Sequence, residues 1–127
     1  MTEMTEMTEM TTMTRSQKIL KDLTDGLAVA QEAMPKTIQA YLDLEKYACE
    51  NYGVFDAKMK ELMMLAQGVR TPCKYCIVLH TYNAIKEGAT KEEIYEAASV
   101  SIPFGGAKTF AYACVYLTDA VNSFWVD

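Results

Sequence analysis

The chain is predicted to be an all-α protein, a compact bundle of about six helices, and three observations lead there. Apolar residues recur at three- and four-residue intervals from Arg15 to the C-terminus, no long alternating segment exists, and helix-start and helix-stop residues punctuate the pattern at regular distances. With 127 residues, half of them apolar, there is material for one ordinary core without staples or metals.

Residues 1–14 repeat Met-Thr-Glu three times and offer no second apolar position, so they are read as a low-complexity arm. Residues 15–127 form the helical domain. In the first helix Ile19, Leu20, Leu23, Leu27 and Ala30 make one stripe, with Ser16 as the expected cap. Pro35 suits the first turn of a second helix, which carries Ile38, Tyr41, Leu42 and Cys49 at helical spacing and ends around 51–53. Asp56 is placed to cap a third, with Met59, Leu62, Met63, Ala66 and Val69 inward, ending near 68–70.

Pro72 opens a fourth helix that runs to about Glu87, with Gly88 past its end. Thr90 and Glu93 stand at capping-box spacing before a fifth, in which Ile94, Ala97, Ala98 and Ser101 face one way until Pro103 stops it. Gly105-Gly106 is read as a tight turn or a close helix approach. The sixth helix carries Ala107, Phe110, Ala111, Cys114, Leu117, Val121 and Trp125 on its inner side. Its aromatics (Phe110, Tyr112, Tyr116, Phe124, Trp125) exceed what one inner face needs, and some are expected at a subunit interface.

A net charge of −5 and a pI near 4.9 argue against nucleic acid and anionic membrane surfaces as partners. No basic start or apolar run marks a signal peptide, and no stretch approaches the roughly 20 apolar residues that span a bilayer. The expected location is the cytoplasm, where thiols stay reduced. Four cysteines there are packing residues, metal ligands or chemistry, and spacing must decide.

Cys73 and Cys76 form a C-x-x-C pair at the start of the fourth helix, where unpaired N–H groups and the positive end of the dipole favour a thiolate. Spacing of i, i+3 puts both sulfurs on one side. His80, the one histidine of the chain, lies one turn beyond Cys76 and can take or pass a proton near neutral pH. Glu61 sits in a stripe of Met and Leu, costly unless paired, and His80 is the expected partner. Two other readings stand beside the redox site: a zinc site of Cys73, Cys76, His80 and Glu61, and a pair of merely buried cysteines. Cys49 and Cys114 are read as core residues.

These residues resemble the alkylhydroperoxidase D-like branch of the carboxymuconolactone decarboxylase superfamily. The resemblance runs from about Asp56 to Ala113 and includes Lys60-Glu-Leu-Met-Met-Leu-Ala, Cys73-Lys-Tyr-Cys76-Ile-Val-Leu-His80, Glu87-Gly-Ala-Thr90 and Gly105-Gly106. Glu61 falls at the family's distance, 12 residues before Cys73. The resemblance implies an all-helical fold assembling into a homo-oligomer, trimer or hexamer. It also implies reduction of hydroperoxides through a Cys73–Cys76 dithiol–disulfide cycle, with no cofactor beyond an external dithiol reductant such as a lipoyl carrier. It casts Cys76 as the attacking thiol, Cys73 as its resolving partner, and Glu61 and His80 as a proton relay.

The chain departs from that family in two respects. Tyr75 stands where the peroxidase members carry a histidine, which removes a group that titrates near neutral pH. The fold also begins at Arg15, without the structured N-terminal half of the longer members. A lyase acting on a lactone-type substrate, a general disulfide oxidoreductase and a metal-binding module are the alternatives. The lyase branch does not depend on a C-x-x-C pair, so Cys73 and Cys76 count against it.

Overall fold

The computed structural model describes residues 3–4 and 12–127, so the expected arm lies largely outside the described residues. All regular structure among them is helical. The order is α1 (Arg15–Ala33), α2 (Pro35–Cys49), α3 (Ala57–Arg70), α4 (Lys74–Lys86), α5 (Lys91–Gly105) and α6 (Ala107–Tyr112), then a π-helical stretch (Ala113–Leu117) and α7 (Thr118–Phe124). Tyr112, Leu117 and Thr118 all keep right-handed helical dihedrals, so the last three elements are one continuous rod and residues 15–124 form a bundle of six helices.

The helix starts follow side-chain capping. Asp56 accepts the N–H of Met59 at 2.9 Å, and Thr90 and Glu93 complete the expected capping box. At α1 the cap is Thr14, reciprocated by Gln17, rather than Ser16. Ser16 is instead fully buried, and its N–H and hydroxyl both donate to Asp119 of α7, tying the first helix to the last. Pro103 does not stop α5. The helix continues to Gly105, and the turn is made by Gly106 at φ 80°, a conformation that favours glycine. A Cβ on Gly105 would run into Thr109 and come within 3.1 Å of Arg70 Cδ, so the pair serves both as turn and as close approach.

The core centres on α3. Leu62, Leu65 and Val69 pack against Ile77 and Ala84 of α4, Ile94 and Ala98 of α5, Leu117 and Val121. Buried hydroxyls complete the fit: Ser101 donates to the Ala66 carbonyl at 2.7 Å and Thr109 to that of Arg70 at 3.3 Å. Met59 and Met63, expected inward, are exposed because the inner face of α3 runs through 62, 65 and 69.

The final rod differs from expectation for a physical reason. Its inner face follows Thr109, Ala113, Leu117 and Val121, a four-residue spacing that would drift around a pure α-helix of 3.6 residues per turn. The π-helical stretch absorbs the surplus and keeps the stripe facing the core. Ala107, Phe110, Ala111 and Cys114 therefore turn outward, and Cys114 is an exposed residue rather than a core one.

The second helix departs furthest. No residue of α2 is buried, Tyr41 is exposed, and Ile38, Leu42 and Cys49 are only half-buried. Its apolar stripe faces a cavity instead of a packed surface.

Candidate functional site

The loop Thr71–Cys73 reverses the chain between α3 and α4 and fixes the cysteines. The Cys73 N–H donates to the Gly68 carbonyl at 2.9 Å, and Cys73 becomes the N-cap of α4. Its sulfur accepts the N–H of Cys76 at 3.4 Å, as an oxygen does in an ordinary cap. The pair thus spans the cap and the first turn. Both thiols are half-buried and free. Gly68 sets this approach: a Cβ there would lie 2.9 Å from Cys76 Cβ and 3.2 Å from its carbonyl carbon.

Glu61 and His80 are both buried, and Nδ1 of the imidazole lies 2.7 Å from Glu61 Oε2. A carboxylate only accepts, so Nδ1 donates and Nε2 remains to accept or release a proton. The expected partnership of these two residues is met within one buried contact.

A cavity of about 420 Å³ opens over Cys76 and His80. Its walls are three helix faces: Leu20, Leu23 and Leu27 of α1; Ile38, Tyr41, Leu42 and Glu45 of α2; Tyr75, Cys76, Leu79 and His80 of α4. Cys73 does not line it. A second cavity of about 400 Å³ reaches Glu61 from the other side, past Cys49, Glu50 and Glu87. Leu42 and Glu45 border both.

The electrostatics correct one expectation. Burial pushes the Cys76 thiol up to about 12, reinforced by its contact with Cys73, the Cys73 charge and the Glu45 charge, while the backbone N–H pulls it the other way. The helix N-terminus alone therefore does not make Cys76 a thiolate, because desolvation and its neighbours outweigh it. Cys49 is raised too, first by burial and then by the charges of Glu61 and Glu45. Glu45 also raises Tyr41, ahead of that tyrosine's burial.

Glu45 is the site residue that sequence reasoning missed. Its signal was there: it occupies the cavity-facing stripe of α2 between Leu42 and Cys49, an acid among apolar residues in the way Glu61 is on α3. Among the described residues no group of three or more His, Cys, Asp or Glu side chains is arranged to hold a metal ion. No helix among them is long and apolar enough to cross a membrane.

Comparison with known proteins agrees with this architecture. The sequence model of the carboxymuconolactone decarboxylase family matches residues 35–119. An uncharacterized protein of Cupriavidus necator is 32% identical over 94 residues, covering 72% of this chain and 82% of its own length. An uncharacterized protein encoded in the cox locus of Paracoccus denitrificans is 35% identical over 74 residues, covering 58% and 66%. The fold superposes on a crystal structure of a carboxymuconolactone decarboxylase family protein from Legionella pneumophila, with a TM-score of 0.77, 31% identity, and coverage of 87% of this chain and 94% of that one. A Thermotoga maritima member, 23% identical with a TM-score of 0.63 over 76% and 88%, shares the fold.

Proposed function

The chain belongs to the carboxymuconolactone decarboxylase family, and on that premise we propose that it is a thiol-dependent peroxidase that reduces organic hydroperoxides through Cys76 and Cys73. The observation carrying this reading is that Cys76 and His80 line one cavity, with Glu61 bonded to the far nitrogen of that histidine at 2.7 Å. A thiol raised to about 12 needs a base at the moment of attack, and the free Nε2 of His80 is the group in the cavity suited to it.

In the cycle, Cys76 gives its proton to His80 and its sulfur attacks the O–O bond. That bond breaks, the alcohol leaves with the proton returned through His80, and Cys76 is oxidised to a sulfenic acid. The Cys73 sulfur then attacks Cys76, a disulfide forms and water leaves. An external dithiol, of the lipoyl kind, reduces the disulfide by exchange and is itself oxidised. Glu61 keeps the imidazole in the tautomer with Nδ1 protonated throughout. The working state is a homo-oligomer in the reducing cytoplasm.

The high value of Cys76 favours one second reading, a general disulfide oxidoreductase in which Cys73, at the cap, makes the first attack. To separate the two, the reduced protein is treated with one equivalent of cumene hydroperoxide, and its free thiols are mapped by alkylation and mass spectrometry. Rapid loss of two thiols as a Cys73–Cys76 disulfide is expected. Survival of all four thiols defeats the peroxidase reading.

A further inference from the structure

We propose that Glu45 is a charge-selecting residue of the Cys76 cavity, admitting neutral hydroperoxides and turning away those that carry a carboxylate. This deepens the peroxidase reading and rests on it for the identity of the substrate.

The apolar stripe of α2 is only half-buried, and Ile38, Tyr41 and Leu42 face Leu20, Leu23 and Leu27 of α1 and Leu79 of α4 across about 420 Å³. Such a volume, walled by aliphatic side chains, fits the hydrocarbon part of a small organic molecule. Cys76 and His80 lie in the same wall, so a molecule seated there brings its reacting end to the thiol.

Glu45 breaks the apolar surface. Among the residues lining this cavity there is no Lys or Arg, and His80 is already engaged by Glu61. The neighbouring cavity adds Glu50, Glu61 and Glu87 against a single Lys46, which itself lies 3.7 Å from Glu50. An anion approaching Cys76 therefore meets the Glu45 carboxylate in a lining without Lys or Arg, and Glu50 and Glu87 in the neighbouring one, where Lys46 is held near Glu50 and Glu61 is paired with His80. The reach of the Glu45 charge is visible in three groups around it, since Tyr41, Cys49 and Cys76 are all raised by it. A repulsion of this kind across a partly desolvated space changes a rate constant by on the order of tenfold.

Two measurements test it. In the first, wild type and Glu45→Gln are alkylated at Cys76 with neutral iodoacetamide and anionic iodoacetate, and the ratio of rates is compared with that of the unfolded chain. The wild-type ratio is expected to favour iodoacetamide about tenfold more than the unfolded chain does, and Glu45→Gln to bring it back towards the unfolded value. In the second, Cys76 oxidation is timed with cumene hydroperoxide, its ring carboxylate and the methyl ester of that carboxylate. Wild type is expected to react with the ester at least about tenfold faster than with the carboxylate, and Glu45→Gln to narrow the gap. Equal ester and carboxylate rates in wild type, or a ratio that Glu45→Gln leaves unchanged in either measurement, overturns the proposal. If no hydroperoxide consumes thiol while the alkylation ratio behaves as expected, the peroxidase reading fails and the charge selection at Cys76 stands.

Discussion

Cys76 and Cys73 differ in what surrounds them, and the proposed division of their roles follows that difference. Cys76 lies against Gly68 on one side and lines the cavity on the other, and burial raises its thiol and keeps it protonated in the resting protein. Cys73 caps the helix and lies outside the cavity. Because contact with Cys73 and its charge are the next causes of the shift, Cys73→Ser should lower the pKa of Cys76, read from the ultraviolet absorbance of the thiolate against pH. An unchanged or raised value would show that the two sulfurs do not sense each other. The shift also fixes a sign for stability. A thiol raised from 9.0 to about 12 stabilises the fold fully below pH 9, and that contribution is lost as pH rises towards 12. The Tm of the wild type should therefore fall more steeply above pH 9 than that of Cys76→Ser.

At the scale of elements, the junction of α3 and α4 decides the geometry of the site. The glycine at 68 lets the start of α4 lie against the end of α3, and the Cys73 N–H is held by its carbonyl. Gly68→Ala forces Cys76 Cβ and the backbone at Ile77 to give way, since both approach the new methyl group within 3.3 Å. The expected outcome is a drop in peroxide-dependent thiol oxidation of about tenfold or more, with the helical circular dichroism retained. Unchanged oxidation would mean that the position of Cys76 is not set by this contact. Several helix starts were legible in the sequence, because Asp56, Thr90 and Glu93 are local signals whose capping preferences depend on few distant atoms, whereas Pro72, expected to open α4, lies just before its cap, which is Cys73. The Glu61–His80 contact was legible for a different reason, that a buried acid requires a partner and the chain offers one histidine. What escaped was long-range. The π-helical turn that sends Phe110 and Cys114 outward satisfies a stripe defined only once α3 is in place. Ser16 looked like a cap until Asp119 claimed it. The apolar face of α2 read as core because periodicity distinguishes wet from dry, not a packed wall from the wall of a cavity.

At the scale of the molecule, α3 to α7 form a packed body, α1 is anchored to it through Ser16 and Ile19, and α1 and α2 together roof Cys76. The body supplies Glu61, Cys73, Cys76 and His80 on two adjoining helices; the roof supplies the apolar walls and Glu45. Neither part forms the site alone, since the cavity needs faces from α1, α2 and α4 together. Oxidation of the Cys76 sulfur by the hydroperoxide is best read in Cys73→Ser, where no resolving thiol can hide the intermediate. That variant is exposed to one equivalent of cumene hydroperoxide in the presence of dimedone, and the adduct is located by mass spectrometry. A single dimedone adduct on Cys76, absent in Cys76→Ser, is the expected result. An adduct on Cys49 or Cys114 instead, or a Cys76→Ser protein that forms a sulfenic acid on Cys73 just as fast, would contradict it.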